Sequence, residues 1–257
     1  MPVSQPSSTP PASDRLFPLT SQTLLENIQV ADQKTREVSL AQFCSLYYPA
    51  IYGFGRKLGL SVEDAQDRTQ DFFVEVVRDG LLKRFDASRG TRFSSWLMKC
   101  FKNLELNHRA ASATMKRGGG RTFVEFDADC VEHSYQSAHA TNLPMEPAFD
   151  LMLARGLWEM TCAHLRAKHA GTTNATLVNE LLPHLLAERW PASPAPSQEE
   201  VAARHGTTAV RLKAFFNRTL KTQARRLFGE SSAHANPGIS DHETADLWAL
   251  LCLYGEG

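Results

Sequence analysis

The sequence lacks the features that mark several large classes of protein. No run of about 18 apolar residues occurs, so no transmembrane helix is expected. Residues Met1 to Pro18 are rich in serine and proline and lack the basic start and apolar core of a secretory signal. The five cysteines are odd in number and widely spaced, which does not suggest a disulfide framework. A reducing, cytoplasmic location fits these absences best.

Sequence patterns of catalysis and metal binding are also scarce. The groupings Cys130-x-x-His133 and Cys162-x-His164 do not combine into the paired ligands of a zinc site. The glycine run at 118–120 lacks the Lys-Ser/Thr that follows a phosphate loop, and no Gly-x-Ser-x-Gly or His-Glu-x-x-His motif occurs. We therefore expect no enzyme, no metal and no cofactor.

Alternating apolar and polar runs are nearly absent outside 122–126, so the fold is expected to be all-α. The first predicted helix covers 40–58, with a kink or break at Pro49, and Ser61 is expected to cap the second, over 62–77. Helical spacing predicts further helices over 93–109, 150–168, 175–188, 198–205, 209–228 and 241–253. Breaks are expected in the acidic stretch after 118–120 and in the proline-rich spacer 191–196.

The chain carries no net charge, with 28 basic and 28 acidic residues, but the charges are segregated. Acidic residues dominate 62–79 and 122–150, whereas basic residues dominate 99–121 and 204–226. The tail after Arg226 has acidic residues and no lysine or arginine. This segregation suggests separate surfaces for separate partners, some of them polyanionic.

The run 199–218 has the spacing of a helix-turn-helix, with a short helix, a turn at Gly206 and a second, basic helix. Ser197 and Glu200 have the spacing of a capping box for the first helix, and Thr208 can cap the second. Val201 and Ala202 are expected to pack against Leu212 and Phe216. Polar and basic residues of the second helix are then free to contact bases and phosphates in a major groove. These residues are Thr208, Arg211, Lys213, Asn217, Arg218 and Lys221.

The stretch Ser61 to Gly120 resembles the bacterial RNA polymerase sigma factors of the sigma-70 family, particularly the extracytoplasmic-function type. Residues 63–73 resemble the helix that grips the clamp of core polymerase. Residues 85–97 are similar to the segment that joins this helix to the promoter-melting helix, and Lys102-Asn103 stands where the family usually has Arg-Asn. The helix-turn-helix lies where the second sigma domain would, so the resemblance covers roughly 40–120 and 150–228.

This resemblance implies that an acidic helix face binds a basic surface of core RNA polymerase. The residues concerned are Asp64, Asp67, Gln70, Asp71 and Glu75. It also implies recognition and melting of the −10 promoter element, which needs positive charge beside groups that hold an unstacked base. The residues for this role are Trp96, Lys99, Lys102, Asn103, Arg109, Lys116 and Arg117. Two alternatives stay open, since Trp96 could be a core residue and Asn103 a simple helix-end residue.

The implied organisation is two small helical domains joined by a flexible acidic linker. It comprises a disordered lead (1–22), a sigma region 2-like domain (23–120), the linker (121–149), a region 4-like helix-turn-helix domain that reads the −35 element (150–229) and an acidic extension (230–257). The implied partners are core RNA polymerase and promoter DNA. The sequence leaves open what would hold such a protein inactive: an anti-sigma factor, the acidic extension or phosphorylation.

A second function stays open beside the sigma-factor hypothesis. The chain could be a stand-alone helix-turn-helix regulator whose N-terminal helices form a dimerisation domain. The acidic face at 67–71 and the run 85–93 favour the sigma factor, because a dimerising regulator has no need of both. The extension at 246–251 could also fold back on the basic recognition helix as a cover.

Overall fold

A computed structural model describes residues 23–30, 32–78, 80–112, 128–187 and 196–255. Every regular element within these ranges is helical, which confirms the all-α prediction. The predicted lead (1–22), residues 191–195 of the predicted spacer 191–196 and the run 122–126 lie outside them. The α-helices are α1 (Leu24–Val30), α2 (Gln33–Lys57), α3 (Val62–Arg78), α4 (Phe93–Ser112), α5 (Ala128–Ala140), α6 (Met145–His169), α7 (Ala175–Leu181), α8 (Gln198–Arg204), α9 (Ala209–Ala214), α10 (Lys221–Ala235) and α11 (Asp241–Tyr254).

Helix α2 starts earlier than predicted and continues through Pro49. Asp32 caps its start, since its carboxylate accepts from the backbone N–H groups of Lys34 and Thr35. A proline inside a helix removes one backbone hydrogen bond, and packing offsets that loss here. Nearly every residue of α2 from Gln42 to Gly55 is buried, so tertiary contacts hold the helix on both sides of the proline. Of the predicted kink or break at Pro49, the break is therefore wrong.

Aromatic side chains build the core around α2, α3 and α4. Phe43 and Tyr47 pack against Phe93, with ring centroids 6.2 Å and 5.7 Å from it, and Phe72 meets Phe101 at 5.8 Å. All five rings are at most 3% exposed. We call this cluster of buried residues the aromatic core.

Helices α2 and α6 approach closely because each has a glycine at the contact. A side chain at Gly53 would lie 2.3 Å from the sulfur of Met152, and one at Gly156 would lie 2.9 Å from Leu46 Cδ1. Tyr47 fixes the same region from the side, since its hydroxyl donates to the carbonyl of Ala235 or the Oδ1 of Asn236, 3.0 Å and 2.8 Å away. The C-terminal helices thus share the aromatic core with the N-terminal ones.

Part of the predicted flexible linker 121–149 is an ordered helix, which corrects the prediction for residues 128–149. Helix α5 buries Val131, Tyr135 and Ala138, which are spaced four and three residues apart and so share one face. Arg56 on α2 holds Glu132 at 3.2 Å, and the hydroxyl of Tyr52 donates to the same carboxylate. The composition of this segment is typical of a spacer. Its few apolar residues nevertheless lie at helical spacing, and together with the Arg56–Glu132 ion pair they stabilise α5 against α2.

A second cluster, which we call the leucine core, lies under α7 to α10. It includes Leu165, Leu181, Leu212 and Leu220, each at most 1% exposed. Helix α6 is roughly 37 Å long and contributes its first half to the aromatic core and its last turns to the leucine core. The predicted domain boundary at residue 150 falls within α6.

The helix predicted over 175–188 is shorter than expected. Helix α7 ends at Leu181 and passes into a single 3₁₀ turn, Leu182–His184. Pro183 contributes to this ending because it has no N–H to continue the hydrogen bonds of the helix, although Leu182 before it keeps helical dihedral angles.

Helix α10 runs past the predicted end at Phe228 to Ala235, and α11 packs on α6 and α10. Trp248 of α11 contacts Phe228 at 5.2 Å and Trp158 at 5.9 Å, and the guanidinium of Arg225 lies over its ring. The extension thus folds back on the C-terminal part of the basic helix. Within the portion of the chain that was described, no helix has the length and apolar character needed to cross a membrane.

Candidate polymerase and nucleic-acid interfaces

Acidic side chains form a stripe along α3. Ser61 caps the helix as predicted, since its hydroxyl accepts from the backbone N–H of Asp64 at 3.1 Å. Ala65, Thr69, Phe72, Phe73 and Val76 are buried, so the opposite side of α3 faces solvent. Asp64, Asp67, Asp71 and Glu75 are spaced three and four residues apart and share that side. We call these four residues the acidic stripe.

Gln70, the fifth residue of the predicted polymerase-binding set, lies beside the stripe. Its side chain hydrogen-bonds to the hydroxyl of Tyr48, which is buried under α3. Burial raises the pKa of Tyr48, and the bond from Gln70 opposes that rise. Gln70 is therefore half-buried and anchors α3 to α2 with part of its side chain.

Helix α4 exposes a basic face next to α3. Lys99, Lys102 and Asn103 are exposed, and Leu106 among them is 54% exposed. Arg109 lies one turn beyond Leu106 and keeps more than half of its side chain in solvent. The structure thus brings these predicted residues together, whereas Lys116 and Arg117 lie outside the described residues. We call Lys99, Lys102, Asn103, Leu106 and Arg109 the α4 face.

Trp96 is half-buried at the edge of the α4 face. Its ring stacks on Phe93 with an interplanar angle of 16° and lies 5.4 Å from Phe85. Trp96 and Asn103 are two helical turns apart and therefore lie on the same side of α4. The part of the indole that stays open can contact a base, while the rest belongs to the aromatic core.

The segment between α3 and α4 is fixed by its own hydrogen bonds and by Arg92. Asp86 accepts from the hydroxyl and the backbone N–H of Ser88, and these bonds lower the pKa of Asp86. The guanidinium of Arg92 pairs with Asp150 on α6 at 3.0 Å and with Glu243 on α11 at 2.8 Å. Burial raises the pKa of Asp150, and Arg92 opposes that rise. Sequence reasoning missed Arg92, since both partners lie far away along the chain.

The helix-turn-helix has the predicted core and caps. Ser197 and Glu200 form a capping box at the start of α8, and Thr208 caps α9 through the backbone N–H of Arg211. Gly206 takes a φ of 61° between them, a conformation that favours glycine. Val201, Ala202, Leu212 and Phe216 are buried together in the leucine core, as expected.

Most predicted DNA-contacting residues of the second helix are exposed. They lie on α9 and on the π-helical stretch Phe215–Leu220 that joins it to α10. Lys221 is the exception, because its ammonium group donates to the carbonyl of Ala187 at 2.9 Å and lies over the ring of Phe216. The exposed predicted residues are Thr208, Arg211, Lys213, Asn217 and Arg218.

Sequence reasoning also missed an ion-pair cluster between α3 and α4. Arg68 Nε lies 3.3 Å from Glu105 Oε2, and Arg109 Nε donates to Glu105 Oε1 at 2.6 Å. The Glu105–Arg109 spacing of four residues is a helical pair that the sequence could have revealed. The Arg68–Glu105 contact joins two helices, so no local pattern predicts it. Within the described ranges no three histidine, cysteine or acidic residues lie close enough to hold a metal ion.

Comparison with protein families identifies the segment that contains the acidic stripe and the α4 face. Residues 44–114 match the model of Sigma-70 region 2. No curated protein and no solved structure matches the chain. The match includes α3, the Arg92 segment and all of α4, and it excludes the helix-turn-helix. Residues 44–114 are thus similar to region 2 of the sigma-70 factors of RNA polymerase, which are non-enzymatic transcription initiation factors.

Proposed function

We propose that the chain is an alternative sigma factor of the extracytoplasmic-function type. It binds core RNA polymerase through α3, recognises and opens the −10 element with α4 and reads the −35 element with the helix-turn-helix. This function takes place wherever RNA polymerase transcribes DNA, which in a bacterium is the cytoplasm. The observation that carries the proposal is the pairing of an acidic stripe and a basic face on adjacent helices of one family-matched segment.

The acidic stripe suits a protein partner with a basic surface. Charge complementarity steers association and fixes the register of an interface. Asp64 and Asp67 are exposed, and Asp71 keeps about half of its side chain in solvent. Buried aromatic residues beneath them keep α3 in place, so the carboxylates are presented on a rigid helix.

The α4 face suits single-stranded DNA. Such binding combines cations that follow the phosphates with surfaces on which bases stack. Lys99, Lys102 and Arg109 supply the cations, and the exposed Leu106 and the open part of Trp96 supply apolar surface. Asn103 lies between them and can hydrogen-bond to a base edge.

The helix-turn-helix suits double-stranded DNA. Its second helix exposes Arg211, Lys213, Asn217 and Arg218, which have the donors used for phosphates and for base edges in the major groove. The caps at Ser197 and Thr208 fix where each helix begins, and the packing of Val201 against Leu212 and Phe216 in the leucine core holds the two helices together. This domain supports the proposed reading of a −35 element.

Co-purification with bacterial core RNA polymerase tests the proposal. The full chain is expected to bind core polymerase, and D67K/D71K is expected to lose that binding with unchanged helix content in circular dichroism. The matched control is E37K/E230K, which reverses two exposed charges on α2 and α10 and should bind like the original chain.

Two outcomes would contradict the proposal. Binding by D67K/D71K at the original level would show that the acidic stripe is not the interface. A chain that fails to bind core polymerase but forms a dimer on duplex DNA would be a helix-turn-helix regulator instead.

A further inference from the structure

Four charged residues form a continuous chain of ion pairs from α3 to α4. Asp71 Oδ2 lies 3.4 Å from a terminal guanidinium nitrogen of Arg68, whose Nε lies 3.3 Å from Glu105 Oε2. Glu105 Oε1 in turn accepts from Arg109 Nε at 2.6 Å. We call Asp71, Arg68, Glu105 and Arg109 the α3–α4 ion-pair chain. It starts in the acidic stripe and ends in the α4 face.

Glu105 is the buried member of this chain. Its side chain is 7% exposed, although it belongs to a helix whose open face is basic. A buried carboxylate is costly unless cations or hydrogen bonds compensate it. Its Oε1 accepts the bond from Arg109, whereas among the described residues its Oε2 has no hydrogen-bond partner and is compensated by the charge of Arg68.

Each arginine has a second environment besides Glu105, which is Asp71 for Arg68 and solvent for Arg109. Arg68 divides its guanidinium between Glu105 and Asp71, and His108 Nε2 also approaches Asp71 Oδ2 at 3.4 Å. Arg109 is held by Glu105 at one end and is 59% exposed at its side chain. If Arg68 turns away from Asp71 and toward Glu105, it compensates more of the negative charge of Glu105. Glu105 then needs less compensation from Arg109.

We propose that Glu105 is a positioning residue that holds Arg109 back from DNA until a basic partner engages Asp71. A cation on Asp71 competes with Arg68, which then turns its full charge to Glu105. Arg109 is released in consequence and can contact a DNA phosphate. This inference rests on the proposed function, because it needs a partner on the acidic stripe and DNA on the α4 face.

Removal of the Glu105 charge tests the release of Arg109. In the full chain, E105Q is expected to raise the affinity for single-stranded oligodeoxythymidylate about two- to fivefold, the range that partly exposed ion pairs produce. The slope of log affinity against log salt should become steeper by about 0.7, the value for one added phosphate contact on a single strand. The matched control E37Q removes an equal charge from an exposed site on α2 and should change neither quantity.

Two further variants separate positioning from a structural role. In an R109A background, E105Q should no longer raise the affinity, because the cation that it releases is absent. D71N imitates the capture of Asp71 and should raise the affinity by a smaller factor, with no added effect in an E105Q background. Since Asp71 is about half exposed, D71N tests the chain of pairs even if E105Q folds poorly.

The outcomes distinguish the inference from the function on which it rests. If K99A/K102A binds single-stranded DNA as well as the original chain does, the proposed role of the α4 face is wrong. If K99A/K102A weakens binding but E105Q does no more than E37Q, only the positioning role of Glu105 is wrong. Additive effects of D71N and E105Q would overturn the link between the two helices.

Discussion

The two candidate DNA-binding regions hold their cations in different ways. On α4, Arg109 is paired with the buried Glu105, which a second arginine also contacts. On the helix-turn-helix, the structure shows no ion pair for Arg211, Lys213 or Arg218 among the residues it describes. Ion pairs do occur toward the margins of that basic block, where Arg204 meets Glu180 and Arg226 meets Glu230.

This difference shows how pairing controls when a cation is available to bind a phosphate. An unpaired surface cation attracts phosphates at once. Under the proposed function, the helix-turn-helix is therefore ready for duplex DNA in the free protein. A cation that pairs with a buried carboxylate has part of its charge neutralised until another group takes its place. Under the same proposal, the α4 face depends on its surroundings, as a surface for opened DNA inside a larger complex should.

The cores beneath the two regions differ as well. Phenylalanine and tyrosine fill the aromatic core, whereas leucine dominates the leucine core. Helix α6 belongs to both, which predicts that they unfold together. We expect F101A to cost about 3–5 kcal/mol and L181A about 2–5 kcal/mol of unfolding free energy. Urea denaturation followed by circular dichroism should show one shared transition for each variant.

The shape of that transition decides whether α6 couples the cores. A second transition in L181A, with the first at its original midpoint, would mean that the leucine core is an independent domain. The sigma-factor resemblance leads to that expectation of two domains. The close packing of α2 on α6 at Gly53 and Gly156 argues for the single transition.

The second prediction concerns the unpaired cations of the helix-turn-helix. R211A/R218A should weaken duplex binding, and each lost base contact costs about 1–3 kcal/mol. For two lost phosphate contacts the salt slope should become shallower by about 1.8. Fluorescence anisotropy with duplex DNA at several salt concentrations measures both quantities.

Its matched control uses an arginine that is already paired. Arg226 is held by Glu230 on α10, so R226A should leave the salt slope nearly unchanged. K102A/R109A on the α4 face should likewise retain duplex binding. Equal losses in R226A and R211A/R218A would show that the binding follows total charge and has no defined face.

Local signals in the sequence were sufficient for much of this fold. The caps at Ser61, Ser197 and Thr208 each depend on residues within a few positions, and all three occur as predicted. The buried face of α3 and the core of the helix-turn-helix also follow from spacing of three and four residues. These features need no knowledge of distant contacts.

The remaining features depend on contacts between distant residues. Arg92 reads as one more cation of a loop, and only the fold brings Asp150 and Glu243 to it. Lys221 has the spacing of a DNA-contacting residue but turns inward to Ala187. Helix α5 has three buried side chains in an acidic, polar segment, so its stability comes from α2 and not from its own pattern.

The smallest predicted effect concerns Arg92, which ties the segment before α4 to the C-terminal helices. Its two acidic partners have opposite pKa shifts. The backbone N–H of Ser240 lowers the pKa of Glu243, so Glu243 contributes stability above its unfolded pKa and loses it as the pH falls through the lower folded pKa. Burial raises the pKa of Asp150, so its contribution is present at low pH and is lost as the pH rises.

E243Q should therefore lower the unfolding free energy by about 0.2–1 kcal/mol at pH 7, as partly exposed pairs do. The difference in unfolding free energy between E243Q and the original chain should shrink as the pH falls below about 4.3, the ordinary pKa of glutamic acid. Once Glu243 is protonated, it has no negative charge with which to pair with Arg92. D150N should show the reverse trend, with its disadvantage smaller at pH 7 than at low pH. Denaturation curves of the three proteins across this range compare the trends. If both variants follow the same trend, Arg92 does not divide its charge between α6 and α11.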